Sequence, residues 1–266
     1  MNKRILAIFL LKIILLGSCN FVKDKDSIQI KKENYSNGNI KSEAAYVNDS
    51  IKNGWCKLYY ESGKLHVLKN YKMGHEEGVQ IGYYENGRKE VESYFLSGLQ
   101  DGKTCWYYES GKIRIENFWK SGIQIREEKY YYPNGKIKQY RVYDNESILR
   151  FMIKYDSLGN FINKEGRLIV ATIYKSPIKV GRDMTADFII AYPPNSAVNA
   201  YITETDTETK SISNNMHYIL DSCRINYKTI YKKSGKYQIV TKINIDDSVH
   251  KQSFFDNDTI TVEVVP

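Results

Sequence analysis

One spacing constrains this chain more than any other property. Glycines stand at Gly38, Gly63, Gly87, Gly111, Gly135 and Gly159, 25 residues apart once and 24 apart thereafter. A tyrosine precedes each of the last five by four positions: Tyr59, Tyr83, Tyr107, Tyr131 and Tyr155. An aromatic follows each of the first five by eight: Tyr46, Tyr71, Phe95, Trp119 and Tyr143. A period in this range marks stacked supersecondary units, none of which can bury its apolar face alone. Residues 34–166 are therefore expected to form a quasi-one-dimensional array.

A second pair of glycines, Gly74/Gly78 and Gly98/Gly102, marks another turn in each unit. It decays later, where Gly122 survives and Arg126 replaces its mate. Two turns in 24 residues leave room for two short strands and not for a helix. The glycines say the same, since 14 of the 17 lie between residues 34 and 166 and each weakens a helix. Asn86-Gly87 and Asn134-Gly135 suit tight hairpins, because both residue types tolerate positive φ. Tyrosine is abundant because the repeat demands it: 16 of 23 fall in this region. The pairs Tyr59-Tyr60, Tyr83-Tyr84, Tyr107-Tyr108 and Tyr131-Tyr132 would face opposite sides of a strand, giving a ladder on each face of an elongated sheet.

The units Gly54-Trp55-Cys56-Lys57-Leu58-Tyr59-Tyr60-Glu61-Ser62-Gly63-Lys64 and Gly78 through Gly87 resemble the MORN repeat in its bacterial variant, G-x-W-x-x-Y-Y-x-N-G-K. Bacterial members of that group are often labelled antitoxins, and MORN repeats elsewhere are linked to membrane lipids and protein contacts. The resemblance thus implies either an interaction scaffold or an immunity protein acting on a toxin outside the cytoplasm.

The first 18 residues read as a signal peptide. Lys3 and Arg4 precede an apolar run from Ile5 to Leu16, interrupted by Lys12. As a helix those twelve residues would span about 18 Å, short of the roughly 30 Å of a hydrocarbon core. Leu16-Gly17-Ser18-Cys19 resembles a bacterial lipobox, which implies cleavage before Cys19 and acylation of that cysteine. The expected location is the cell envelope, at the outer membrane on its periplasmic side or at the surface, with the membrane contacted through the lipid. Residues 19–33 read as a charged tether.

Loss of the leader lowers the net charge of +8 by the three cations Lys3, Arg4 and Lys12. What remains is dilute. Residues 34–166 carry 20 basic and 17 acidic side chains, and residues 167–266 carry 12 and 11. No basic block marks a nucleic-acid footprint, so neither DNA nor RNA is expected as a partner.

Beyond Gly166 the period disappears. Alternating apolar runs take its place at Leu168–Tyr174, Ala186–Tyr192, Val198–Thr203, Ile225–Tyr231, Tyr237–Ile245 and Ile260–Val265, with Pro177, Pro193 and Pro194 between them. Six or seven strands in roughly 100 residues predict a β-sandwich over 167–266. Ser234-Gly235-Lys236-Tyr237 resembles the tyrosine corner of immunoglobulin-like domains. Ile239 stands where an antibody domain has its second cysteine, so the resemblance implies no intersheet disulfide. The fold class is all-β, a MORN-like hairpin sheet followed by an Ig-like sandwich.

Few residues suggest chemistry. Cys56, Cys105 and Cys223 are expected as free buried thiols, since none has zinc-ligand spacing and the first two are two repeats apart. His66, His75, His217 and His250 are scattered. Glu204, Asp206 and Glu208 alternate with threonine, which reads as a solvated edge strand whose carboxylates repel partners. No nucleophile elbow or phosphate loop is present, so the chain is read as non-enzymatic, without cofactor or metal. Contacts are expected from the aromatic repeat face, through Trp55, Tyr60, Tyr84, Trp106, Tyr108, Trp119 and Tyr132, with an unidentified protein, a toxin or a glycan as partner. Packing between repeats is the favoured reading of the same aromatics, and contact with a partner the weaker one.

Overall fold

The computed structural model describes residues 28–173, 177–220, 223–248 and 251–266. The leader, the lipobox with Cys19, the tether up to residue 27 and His250 lie outside the described residues. Every regular element among those described is a strand. The first, Gln29–Asn34, already falls within the segment read as tether, and pairs with Ile40–Val47.

The repeats form one antiparallel sheet of fourteen strands in which each long strand pairs with the next in sequence. Two kinds of turn alternate. Met73-Gly74, Ser97-Gly98 and Ser121-Gly122 all take positive φ at both residues, the type I′ requirement of a two-residue hairpin. The Asn-Gly turns are longer than expected: only the glycine is left-handed, the N–H of Tyr84 reaches Arg88 O at 2.8 Å, and Gly87 N reaches Tyr84 O. That pair of bonds recurs at Tyr35, Tyr60, Tyr108 and Tyr132. The second tyrosine of each pair is therefore the first residue of the turn, not the last of the strand. The expected ladders on two strand faces reduce to one on the strand and one at its end.

The recurring aromatics also share a second kind of glycine partner, across the strands. Gly54 pairs with Tyr71, Gly78 with Phe95 and Gly102 with Trp119, so each ring lies opposite a residue without a side chain. Arg126, opposite Tyr143, keeps the left-handed backbone (φ 65°) of the glycines it replaces. Burial pushes the Cys223 thiol of the following domain up, and the nearby Arg126 guanidinium partly offsets it. The repeat breaks its own rule where the next domain meets it.

That domain is two sheets over a shared core. Ile169–Ile173, Asp183–Ile190 and Arg224–Ile230 form one, in that order. The other runs Ile178–Lys179, Gln252–Val265, Gly235–Asp247, Ser196–Asp206, Ile212–Leu220. Met184, Phe188 and Ile190 from the first sheet meet Val198, Ile202, Ile239 and Val262 from the second. Two strands escaped the sequence reading: Ile178–Lys179 is too short, and Ile212–Leu220 breaks the apolar alternation with Asn214 and Asn215. Glu204, Asp206 and Glu208 do not form a solvated edge. Ser196–Asp206 is an interior strand, and Glu204 shares the inward parity of Val198, Ala200 and Ile202. It is 2% exposed and accepts hydrogen bonds from Tyr227 Oη at 2.5 Å and Ser213 Oγ at 2.6 Å. Asp206 instead caps the following turn through the N–H groups of Glu208 and Thr209.

The last repeats and the sandwich are one core. Tyr140, Val142, Phe151, Ile153 and Tyr155, on one face of the final hairpins, join the sandwich residues in a single buried cluster. Tyr192 N–H donates to Tyr140 Oη at 2.7 Å and Tyr155 Oη to Asp247 at 3.3 Å. Arg167 reaches Asp258 at 3.4 Å, while Leu168 N–H donates to Asp256. An open repeat array needs its terminal face covered, and here a folded domain does it.

Candidate interaction surface

Each tyrosine at the start of a turn points its hydroxyl into the next repeat. Tyr60 Oη donates to Tyr83 O at 2.7 Å, Tyr84 to Tyr107 O at 2.6 Å, Tyr108 to Tyr131 O at 2.7 Å and Tyr132 to Tyr155 O at 3.0 Å. Tyr35 makes the same bond to Tyr59 O. Four of the seven residues expected to form the contact face thus spend their polar atoms holding neighbouring repeats together, and their rings are half-buried. Trp55, Trp106 and Trp119 are half-buried too. Lys57 Nζ lies 4.5 Å over the Trp55 ring, Arg114 6.0 Å over Trp106, and Trp119 Nε1 donates to Asn117 at 3.0 Å. Removing one ladder hydroxyl, as in Tyr84→Phe or Tyr108→Phe, should cost about 1 kcal/mol of stability. Urea unfolding checks this, and an unchanged midpoint in both variants would show that the ladder does not hold the repeats.

Those hydrogen bonds recur between segments in which the family comparison finds the same unit. Residues 30–48, 52–73, 100–121 and 127–145 match the model of the MORN repeat variant. The chain carries MORN-variant repeats. Residues 78–96 lie between matched MORN segments and keep the same strands, turns and tyrosine bond. No curated protein matches the chain.

Carboxylates on the MORN sheet are tied into its own cations and phenols. Glu43 accepts from Tyr59 Oη at 2.6 Å and from Lys57 at 3.3 Å, which lowers its carboxyl; burial, then Glu43, push the Tyr59 phenol up to about 12. Glu116 is paired with Lys103 at 2.5 Å and Tyr131 at 3.0 Å. Burial opposes ionisation of Asp144, but the N–H groups of Ile148 and Glu146 and the Arg150 guanidinium outweigh it and hold the carboxyl low. Carboxyls held below their unfolded values bind fewer protons than the unfolded chain near pH 4. The stability they contribute is present above about pH 4 and lost as pH falls through their folded values. Asp144→Asn should flatten the fall of the unfolding midpoint between about pH 5 and pH 3; an unaltered slope would exclude Asp144 from it.

Cys56, Cys105 and Cys223 are free, as expected, though Cys105 is only half-buried. His66 stacks on Tyr60 with ring centroids 4.2 Å apart, and His75 lies exposed just after its turn. Among the described residues no group of three His, Cys, Asp or Glu side chains is arranged to hold a metal ion.

Sequence reasoning missed one surface. Ile51, His75, Leu99 and Ile123 follow the I′ turns or their equivalent at 24-residue intervals. They line the strand ends on one side of the sheet: a Cβ on Gly122 would lie 3.5 Å from Leu99, and one on Gly74 3.7 Å from Ile51. Met73, Leu96, Leu99 and Ile123 are each 45–58% exposed. The signal was in the same period, two residues beyond the first member of the turn, but it carries no aromatic to draw attention.

Proposed function

We propose that the protein is a lipid-anchored, non-enzymatic component of the cell envelope that holds a protein partner against its MORN sheet. The observation that supports this is the apolar patch of Leu99 and Ile123 in that row, with Met73 and Leu96 at the same turns, left in solvent while the tyrosines serve the repeats. A row of exposed apolar side chains on a rigid sheet suits a partner's apolar strip better than a small molecule. Acylation of Cys19 would fix the long sheet to the membrane at its first strand. The C-terminal sandwich is read as Ig-like. Its strand order supports that, as does Tyr237 Oη donating to Lys233 O at 3.2 Å, the bond of a tyrosine corner.

Cross-linking and pull-down from native membranes tests this. One protein should be recovered with the unaltered chain and lost with Leu99→Lys/Ile123→Lys. Recovery of the same bulk membrane proteins by both chains would overturn the scaffold. A single tight stoichiometric partner whose toxicity the chain blocks would identify it as an immunity protein. In a parallel fractionation, Cys19→Ala should move the chain out of the membrane pellet.

A further inference from the structure

The exposed edges of the three sheets are not protected alike. Gln29–Asn34 carries Lys31, Lys32 and Glu33 on the first edge of the MORN sheet, and Phe161–Gly166 carries Lys164 and Glu165 on its last. In the smaller sandwich sheet, Arg224–Ile230 has Arg224 and Lys228, while the edge at Ile169–Ile173 donates Ala171 N–H to Asp258. Charges and capped N–H groups are how edges avoid pairing with other chains. Ile212–Leu220, the edge of the larger sandwich sheet, has neither. Its sequence ISNNMHYIL contains no charge and no proline over nine residues, in a chain that is 26% charged. Its pairing with Ser196–Asp206 runs without a break from Asn214 to Leu220. Ile219 stands 79% exposed at one end and Ile212 63% exposed at the other.

We propose that Ile212–Leu220 pairs antiparallel with the same strand of a second copy, joining two five-stranded sheets into one across a two-fold axis. The occupant follows from self-complementarity. Centred on Met216, the strand sets Met216 opposite Met216 and Asn214 opposite Tyr218 on the side that faces the core; the regular register ends at Asn214, beyond which a bulge leaves Ile212 exposed opposite Thr205. On the outer side it sets Asn215 opposite His217. Amide meets imidazole or phenol, and no like charges oppose. Met216, Tyr218 and Leu220 already pack against the sandwich core, so the pairing extends a hydrophobic layer that stops at this edge. His217 is held in place by stacking on Tyr201, ring centroids 4.5 Å apart, and by Asn199 Oδ1 at 3.1 Å. An isologous contact of this kind closes on itself and stops at two copies.

Sedimentation velocity of the full chain in detergent, across a concentration series, tests the pairing. A monomer–dimer equilibrium is expected. Asn215→Lys/His217→Lys opposes like charges at both outer pairs and should weaken the dimer at least tenfold. Asn215→Glu/His217→Lys opposes unlike charges in the same register and should restore it. Far-UV circular dichroism confirms that each variant is folded, and recovery in the charge-paired variant excludes a general loss of structure. A chain that stays monomeric at every concentration would overturn the proposal. So would a dimer indifferent to both variants, or one that both variants weaken equally. A monomer that instead takes up an extended peptide from another protein along this edge would overturn the choice of a second copy.

Discussion

Gly166→Ala is expected to destabilise the chain by about 3 kcal/mol or more, far beyond the same change at Gly87. Both glycines are left-handed, with φ of 86° and 84°. That conformation alone costs an L-residue about 1–2 kcal/mol. Around Gly87 an added Cβ would meet nothing within 4 Å, so the cost there should stop at the backbone. At Gly166 it would stand 2.1 Å from Arg150 O and 2.8 Å from the carbonyl carbon, and these are main-chain atoms that no rotamer can move aside. The strands Leu149–Tyr155 and Phe161–Gly166 would have to part at the pair Phe151–Gly166. Arg167 N–H, bonded to the same Arg150 carbonyl at 2.8 Å, would lose its partner. Arg167 and Leu168 are also the residues that hold the sandwich through Asp256, Asn257 and Asp258, so the displacement passes directly into the domain junction. Urea unfolding of both variants measures the difference. Equal losses at the two positions would mean that the junction relaxes freely and that the close approach is not a constraint.

The repeats were legible because their determinants are local and periodic. A positive-φ turn every 24 residues needs glycine, and a ring opposite a side-chain-free residue needs an aromatic at a fixed offset. Arg126 was visible as a departure, yet its meaning was not, because Cys223 is nearly 100 residues away in sequence and nothing local couples them. Glu204 was misread for a related reason. Alternating Thr and acid look solvated in isolation, and only the parity set by Val198, Ala200 and Ile202 places that carboxylate in the core beside Tyr227. Ile212–Leu220 lacked the apolar alternation of an ordinary strand, since its inner side includes Asn214 and its outer side Ile219. The expected contact residues fared differently from the repeats that hold them. Tyr60, Tyr84, Tyr108 and Tyr132 stood out because they recur, and recurrence reports what each repeat needs from the next. The row at Ile51, His75, Leu99 and Ile123 recurs as well, but only Leu99 and Ile123 are exposed aliphatics, so composition hid it.

Tyr155→Ala should cost about 3–5 kcal/mol. The residue is 1% exposed and belongs to the cluster shared by the last MORN hairpins and the sandwich. It also connects residues 92 positions apart, through its hydroxyl and Asp247, which is itself buried. Tyr155→Phe separates the two contributions: the ring stays, Asp247 loses one donor, and the cost should fall to about 1–2 kcal/mol. Alkaline titration supplies an independent check. Burial, reinforced by Asp247, pushes the Tyr155 phenol well above its ordinary value. A phenol raised in the folded state keeps its proton when the unfolded chain has lost it, so its stabilisation is complete below about pH 10 and declines as pH rises toward the folded value. Tyr155→Phe should therefore shallow the alkaline loss of stability while lowering stability at neutral pH. Because one core spans both units, the unaltered chain should unfold in a single transition by calorimetry, and Tyr155→Ala should split it. A single transition retained at a lower midpoint would show that Tyr140, Phe151 and Ile153 suffice to couple the sheet to the sandwich, and that Tyr155 adds stability without carrying the coupling.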